Sequence, residues 1–486
     1  MQSGANRYVS LLSNTVIFAV GSFTVKIISF ILMPLYTSMM TEAQYGIGEL
    51  MNNSIEILLP LVTLGVIESV YRFSIDDDAD LCSVFTVSSI FVLAGDILVA
   101  AGCLLCASIL GLPNMIELCL LFVTSSFYRV VTQFARGLGQ AKRFALYGIV
   151  NSIILVTSNC ILLGIYHMGI TGYMVSFSVG YGISGLIASI ASGVFRYFRP
   201  SRVNFCIIRG MLKYSLPLVP NLVSWWVTNT SSRYIILAFS GSAAAGLYAA
   251  ASKLPSMLNV FTSIFQQAWQ YSTAKEIGSE GSRQFFSSVL RVYSWFCAVV
   301  ACFLLLINRP LCDLLLRDGF NDAWHLVPLL LLAAAFGCLS AFFGTFYQAL
   351  KANKNLMIST VAGALLCVLV TVALVPLVGI FGASCAAALS YLIILLMRIV
   401  DIRNKVKINV QMKRMALQYG TISFFAVLSS FMGGIEIVIL GLVSLAIVVL
   451  SDLPALSKSK SLIGRQLRER FGSMRLQSKD EGKENE

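Results

Sequence analysis

This 486-residue sequence contains unusually little charge. Asp, Glu, Lys and Arg make up only 12% of its residues, whereas 57% are hydrophobic. A soluble domain carries roughly 25% charged residues, and the mean hydropathy here is +0.81. This composition excludes an ordinary soluble protein and predicts an integral membrane protein.

Side chains that would hold a metal or perform catalysis are also scarce. The two histidines, His167 and His325, are isolated, and the twelve cysteines form neither a CxxC pair nor a Cys/His cluster. Most cysteines lie within apolar runs and are interpreted as small apolar residues of helices. No Walker A motif is present, so direct use of ATP is not expected. We expect no cofactor and no metal, while coupling to an H⁺ or Na⁺ gradient stays open.

Long apolar runs occupy most of the chain. A helix that crosses a membrane needs about 20 mostly apolar residues, and the sequence has about fourteen such runs. They lie near 13–36, 47–71, 82–109, 115–136, 144–166, 170–195, 214–240, 246–272, 285–307, 325–350, 356–376, 380–400, 413–432 and 434–453. Only Met432, Gly433 and Gly434 separate the last two, so these two could form a tight hairpin.

The positions of the basic residues predict the orientation. The net charge of +12 could by itself indicate a nucleic-acid partner. With a cytoplasmic N-terminus, however, 29 of the 35 Lys and Arg residues fall on the inside, and only Arg309 and Arg317 fall on the outside. A bias of this kind sets membrane topology. It predicts that both termini are cytoplasmic, and it accounts for the positive charge without nucleic acid.

Fragments of the sequence recur at nearly constant offsets. GITG (169–172) returns as GIFG (379–382), and Tyr181 and Tyr391 follow these fragments at the same distance. Upstream, Gly46 of EAQYGIG and Gly246 of AAAGLYA are 200 residues apart. We interpret the matches as a duplication of six spans, which gives parallel repeats related by an axis along the membrane normal.

The predicted fold is an all-α polytopic membrane protein with about 14 transmembrane helices. Two six-helix lobes form the repeats, and two C-terminal helices follow them. The predicted segments are a first lobe (1–195), a cytoplasmic linker (196–213), a second lobe (214–400), transmembrane helices 13 and 14 (401–454), and a basic amphipathic cytoplasmic tail (455–486).

Several ionisable side chains fall within the predicted spans, where a charge that faces lipid is unfavourable by about 2.5–3.5 kcal/mol. The bases are Lys26, Arg129, Arg233 and Lys253, and the clearest acids are Glu56 and Asp96. At about 1.5 Å per residue, Lys26 and Glu56 lie level on neighbouring spans. We expect Lys26 to hold either Glu56 or a phosphate group of a ligand.

Arg233 and Lys253 lie at similar depth on spans 7 and 8, and neither span has an acid to match them. We therefore predict that they bind an anion supplied by a ligand, and a phosphate suits a guanidinium well. Arg129 either belongs to the same cavity or extends to the inner headgroups. Asp96 is either a neutral core acid or a protonatable coupling group.

Span 7 is unusually polar around Trp225, Trp226 and Asn229. Such side chains either hold helices together or line a path for sugars. Prolines at 34, 60, 217, 220 and 255 fall in spans 1, 2, 7 and 8, and broken helices commonly surround transporter sites. Spans 1, 2, 7 and 8 are therefore the predicted location of the site.

Four stretches carry a family resemblance: NTVIFAVGSFTVKIISFILMPLYTSMMTEAQYGIGEL, VTLGVIESVYRF, RGLGQAKRFALYG and GLYAAASKLPSM. In these the sequence resembles the Wzx-type flippases of the multidrug/oligosaccharidyl-lipid/polysaccharide exporter superfamily. The resemblance implies two lobes in a V around a cavity that opens alternately to each side of a bacterial cytoplasmic membrane. It also implies a polyprenyl-diphosphate-linked oligosaccharide as cargo, with membrane lipid and other polysaccharide-assembly membrane proteins as partners.

Two alternatives stay open. A multidrug cation antiporter of the same superfamily should have acidic cavity residues, for which Glu56 and Asp96 are candidates. A membrane glycan polymerase or ligase would use a sizeable outer loop, and the longest one here, 308–324, is short. We therefore expect a transporter and not an enzyme.

Overall fold

The computed structural model describes residues 30–75, 79–277, 282–350, 352–432 and 434–452. Lys26, most of the first predicted span and the predicted tail lie outside this part of the chain. Helices make up nearly all of the described residues, and no strand occurs among them. The all-α fold class is therefore confirmed.

The first lobe begins with three helices, of which the third continues the second after a sharp bend. Their bounds, and those of the four that follow, are α1 (Met33–Met39), α2 (Glu42–Val62), α3 (Val66–Ser74), α4 (Leu81–Leu110), α5 (Met115–Gly137), α6 (Ala141–Asn159) and α7 (Gly169–Ser192). A π-helical turn, Cys160–Ile165, extends α6.

The second half contains ten further helices. They are α8 (Phe205–Ser215), α9 (Leu218–Ala251), α10 (Lys253–Glu276), α11 (Ser282–Leu306), α12 (Asn308–Leu315), α13 (Val327–Ala349), α14 (Asn353–Val378), α15 (Ile380–Val406), α16 (Met412–Ser429) and α17 (Ile435–Leu450). A 3₁₀ helix, Asp318–His325, connects α12 to α13.

Each predicted span from 47–71 onward contains one of these helices or a broken pair of them. Within the described residues, nine helical segments are long and apolar enough to cross a membrane, or ten if the bent pair α2 and α3 is one span. One of the nine, Phe205–Val260, contains predicted span 7 and the start of span 8. α17 is shorter, which fits its prediction as half of a hairpin.

Local sequence explains where the helices start and break. Thr41 caps α2, because its hydroxyl accepts from Gln44 N at 3.2 Å and the Gln44 side chain accepts from Thr41 N at 3.1 Å. α2 ends where Leu64 and Gly65 adopt left-handed φ values of 52° and 67°, and α3 departs at 67°. Gly241, with φ 83°, breaks α9 in the same way and separates the two predicted spans.

The two lobes repeat the same packing. In the first lobe α5 and α6 both pack on α7, and in the second lobe α13 and α14 both pack on α15. α5 and α13 have equal lengths of 23 residues. The duplicated fold is therefore present in three dimensions as well as in the sequence fragments.

The lobes meet where α2 crosses the last part of α9, and the contact is backbone against backbone. A Cβ atom added to Gly246 would lie 1.9 Å from the carbonyl oxygen of Glu42, and one added to Gly46 would lie 2.3 Å from that of Ser242. Gly46 and Gly246 are the glycines that the repeat aligns. Contact between these two equivalent positions is what a repeat related by a two-fold axis through this point would give.

We call this the closed end of the molecule, defined by Gly46, Gly246 and the segment 308–325 that packs beside them. Arg317 N donates to the Thr37 hydroxyl at 3.1 Å, and the rings of Tyr45 and Phe320 lie 5.7 Å apart. Both contacts join the first lobe to the second. The lobes are thus held together at this end by several independent contacts.

The C-terminal helices α16 and α17 pack on α11 outside the repeat. Asp452 directly follows α17 and is 1% exposed. It accepts from Arg291 Nε of α11 at 2.7 Å and also from Arg414 of α16. One buried carboxylate therefore ties both added helices to the second lobe.

Replacing Gly246 by Ala should force the lobes apart at the closed end, because the new methyl group overlaps the Glu42 carbonyl. Overpacking of this kind costs about 1–3 kcal/mol, so thermal unfolding of the purified protein should occur at a lower temperature. Gly102→Ala in α4 is the matched control, since its added Cβ has no atom within 4 Å. Equal melting temperatures for the two variants would contradict the close packing.

Candidate functional site

A cavity of about 960 Å³ lies between the two lobes. The first lobe lines it with α2, the α2–α3 bend and Arg129 of α5, and the second lobe lines it with α9, α10, α13 and α15. Hydroxyl and amide side chains cover much of the second-lobe wall, including Thr228, Asn229, Thr230, Asn259, Gln266 and Gln270. The cavity therefore places hydroxyl and amide groups among apolar side chains, within a membrane-spanning fold.

Between the cavity and the closed end, one carboxylate joins the lobes. Glu49 of α2 accepts from Lys253 Nζ of α10 at 2.7 Å and from Arg233 Nη1 of α9 at 3.3 Å. The Glu49 side chain is only 5% exposed. We call Glu49, Arg233 and Lys253 the interlobe latch, because its acid comes from one lobe and both of its bases come from the other.

Three neutral donors complete the environment of Glu49. The hydroxyls of Tyr173 and Tyr45 donate to its Oε1 at 3.0 and 3.3 Å, and the Asn53 amide donates to its Oε2 at 3.2 Å. Charge-assisted hydrogen bonds of this kind are about twice as strong as neutral ones. The surroundings therefore hold Glu49 as a carboxylate in a position that faces the second lobe.

The latch corrects the prediction that Arg233 and Lys253 have no internal partner. Neither of their own spans supplies an acid, as the sequence indicated, but α2 does so across the lobe boundary. Its position in the sequence puts Glu49 near the end of predicted span 47–71, so it was not considered as a partner for Arg233 and Lys253. A partner on another helix, 184 residues before Arg233, leaves no signal in local spacing.

Glu56 also has a different partner from the one expected. Arg129 of α5 forms an ion pair with Glu56 of α2, and both side chains line the cavity. Their side chains are 32% and 52% exposed. Of the two options for Arg129, the structure places it on the cavity wall. Lys26, the partner expected for Glu56, lies outside the described residues. Within the described residues, Glu56 is paired with Arg129 instead.

The predicted aromatic and amide residues also line the cavity. Trp225 is 66% exposed, whereas Trp226 donates its indole N–H to the Asn53 carbonyl at 2.9 Å. The Tyr391 hydroxyl donates to the Asn229 side chain at 2.7 Å. Trp226 therefore helps to join the lobes, while Trp225 remains free to contact a ligand in the cavity.

Two predicted residues do not line the cavity. Asp96 of α4 accepts from the Ser126 hydroxyl of α5 at 2.7 Å, so it belongs to the packing of those two helices. Lys253 reaches Glu49 behind the cavity wall and acts there as part of the latch. Arg233 belongs to both places, because it binds Glu49 and also lines the cavity.

Sequence reasoning missed a further cation, Arg398. The sequence-based count of basic residues placed it on the inside with Arg403, Lys405 and Lys407, although it falls near the end of predicted span 380–400. In the structure it is 7% exposed, lies within α15 and lines the cavity. The apolar run YLIILLMRIV that precedes and includes it is the signal that could have revealed a position inside the span.

Exposure along the cavity shows which way it opens. At the latch the side chains of Glu49 and Arg233 are 5% and 14% exposed, but Glu56 reaches 52%. Gln270, near the far end of α10, is exposed and also lines the cavity. The cavity is therefore shut at the closed end and accessible from the opposite end, which we call the open end.

The sequence model of a family described as polysaccharide biosynthesis protein matches residues 11–271, which is more than half of the chain. A comparison with curated proteins finds no match.

Several solved structures share the fold. The lipid II flippase MurJ in an inward closed conformation aligns with a TM-score of 0.65 at 14% identity, over 93% of this chain and 99% of that one. An inward-facing multidrug resistance MATE family transporter of the MOP superfamily gives 0.60 at 13%, over 81% and 98%. A MOP superfamily transporter from Pyrococcus furiosus gives 0.56 at 14%, over 81% and 95%. At these identities the likeness establishes the fold alone.

Replacing Glu49 by Gln should strongly destabilise the closed end, because Arg233 and Lys253 lose the buried counter-charge that both of them bind. Breaking a buried ion pair from one side costs about 3–5 kcal/mol. Glu56→Gln on the same helix is the matched control and should cost about 1 kcal/mol or less, because its pair with Arg129 is partly exposed. Thermal unfolding of both variants measures the difference, and equal losses would contradict the role of the latch.

Proposed function

This chain belongs to the polysaccharide biosynthesis protein family, and on that premise we propose that it is a flippase for polyprenyl-diphosphate-linked oligosaccharide. The cargo would cross the cytoplasmic membrane from the inner to the outer leaflet for surface polysaccharide assembly. The observation that carries this proposal is a polar, cation-bearing cavity between two lobes that is shut at one end by an ion pair. Such a cavity suits an amphiphile with an anionic headgroup.

The basic residues support an orientation for the transport cycle. Arg196, Arg199 and Arg202 lie between α7 and α8, on the side of the molecule where the cavity is open. A positive bias marks the cytoplasmic side, so we infer that the open end faces the cytoplasm. The described conformation would then be the one that receives cargo from the inner leaflet.

The cavity wall matches the parts of such a cargo. Hydroxyl and amide side chains around Asn229 and Gln266, with the exposed ring of Trp225, offer hydrogen bonds and an aromatic face to sugars. Arg233 and Arg129 offer charge to phosphate oxygens. The polyprenyl tail would remain in the bilayer while the headgroup occupies the cavity.

We infer that cargo opens the latch by exchange of one anion for another. Pulling Glu49 away from Arg233 and Lys253 without a replacement would leave buried charges unpaired, at about 3–5 kcal/mol. A diphosphate that approaches Arg233 from the cavity supplies the replacement charge. The closed end would then open with cargo bound and stay shut without it, as alternating access requires.

The proposed cation antiporter is less well supported by the same cavity. A site for cationic drugs needs an acid whose charge is available. Glu56 is already paired with Arg129, which leaves Glu68 of α3, exposed at the cavity, as the acid that such a site would use. Asp96 lies away from the cavity wall. A coupling ion for the flippase, whether H⁺ or Na⁺, is left open by these contacts, and mass action on the cargo is an alternative driving force.

Deletion of the gene tests the proposed function. We expect surface polysaccharide to be lost and the polyprenyl-linked intermediate to accumulate on the inner leaflet, where a membrane-impermeant lectin applied to intact spheroplasts cannot bind it. Expression of the wild-type chain from a plasmid should restore binding. Unchanged polysaccharide together with increased drug sensitivity would instead favour the antiporter.

A further inference from the structure

Arg398 is a buried cation whose hydrogen bonds all go to neutral groups. Its Nε donates to Ser359 Oγ at 3.0 Å, its Nη1 to the carbonyl and hydroxyl oxygens of Ser340 at 2.8 and 3.0 Å, and its Nη2 to Thr360 Oγ1 at 2.9 Å. Within the described ranges no carboxylate lies within ion-pair distance of it. Asp401, one turn away, instead binds Lys405 and Asn355.

The guanidinium retains capacity for another acceptor on its cavity side. A guanidinium has five N–H donors, and the four bonds leave one hydrogen of Nη2 without an acceptor among the described residues. The bond from Nη2 to Thr360 is only partly buried, whereas the other three are fully buried. Thr360 itself lines the cavity. The unused donor is therefore on the side from which a ligand would come.

The surrounding helices position Arg398 for this role. Ala387, Tyr391, Ile394 and Arg398 all line the cavity, and their spacing puts them on one face of α15. Gly344 of α13 leaves room for the head group, since a Cβ there would lie 3.2 Å from Nη1. The arginine is thus held rigidly at the wall by three helices.

Arg398 lies far from the latch along the cavity. The bond between Tyr391 and Asn229 sets those two residues at one level. Arg398 follows Tyr391 by seven residues toward the open end, about 10 Å along the helix, and Arg233 follows Asn229 by four toward the closed end, about 6 Å. A separation of about 16 Å is too long for one diphosphate to bridge.

We propose that Arg398 is a separate anion subsite, which binds an oxyanion of the cargo near the open end before that cargo reaches Arg233. The inference rests on the proposed function and adds to it a first binding site for the cargo. A buried charge without a counter-ion is unfavourable, so an incoming phosphate or carboxylate gains more at Arg398 than at the already paired Arg129 and Arg233. The oxyanion would be either the carrier diphosphate or a uronic acid of the glycan.

The test measures binding to the purified full-length protein in nanodiscs. Farnesyl diphosphate, glucuronate and, as an uncharged control, farnesol are titrated into the wild type, Arg398→Gln, Arg398→Lys and Arg403→Gln. Arg403 is the matched control, because it is an exposed arginine on the same helix that does not line the cavity. Thermal unfolding of each variant reports the folded fraction.

We expect Arg398→Gln to weaken binding of at least one anionic probe by about 10–100-fold, the range for a lost hydrogen bond to a charged group. Arg398→Lys should recover part of that loss, because it keeps the charge, and Arg403→Gln should bind like the wild type. The probe that is affected identifies the source of the oxyanion. Farnesol binding should be unchanged throughout.

Two results would overturn the subsite. One is anion binding by folded Arg398→Gln that equals Arg403→Gln, which would make Arg398 a purely structural link between helices. The other is wild-type protein that binds neither anionic probe. Cell assays of flipping separate this inference from the proposed function. If the cells flip the cargo normally but anion binding does not depend on Arg398, the subsite alone is rejected. If anion binding depends on Arg398 but the cells do not flip the cargo, the proposed function alone is rejected.

Discussion

The structure depends on one buried carboxylate that serves two lobes. Glu49 is held by hydroxyls and an amide of its own lobe and by Arg233 and Lys253 of the other. Each of these charges would be unfavourable in a membrane interior by itself. Glu49 offsets one of the two positive charges and accepts hydrogen bonds from both bases, and it can do so only while the lobes are in contact. Ionic pairing and closure of one end of the cavity are therefore the same event.

Other contacts follow from this closure. Gly46 and Gly246 allow the two helix backbones to touch, which brings the side chains of α2 within reach of α9 and α10. Trp226 and Tyr234 of α9 then donate to backbone carbonyls of α2 further along the same interface. Because the polar cavity begins where these contacts end, the position of the latch decides which side of the membrane the cavity serves.

The sequence predicted those features that depend on local composition. Apolar runs identified the spans, and the repeat aligned Gly46 with Gly246, which are in contact. Polarity singled out Trp225 and Asn229, and depth singled out Arg233, but whether Trp225, Asn229 and Arg129 face a cavity was left open. What could not be predicted was pairing between distant helices. Glu49 lies near a span end, and its partners are 184 and 204 residues away. Arg398, near the end of predicted span 380–400, was counted with the inside basic residues because others follow it closely.

In the proposed transport cycle, an anionic cargo replaces Glu49 and so releases the closed end. Spin labels at Thr41 of α2 and Ser242 of α9, on either side of the Gly46–Gly246 contact, allow the distance across that end to be measured by pulsed electron paramagnetic resonance in nanodiscs. The account predicts a single short distance without ligand and an additional, longer distance when farnesyl diphosphate is added but not when farnesol is added. A distance distribution that does not change with the diphosphate would contradict it.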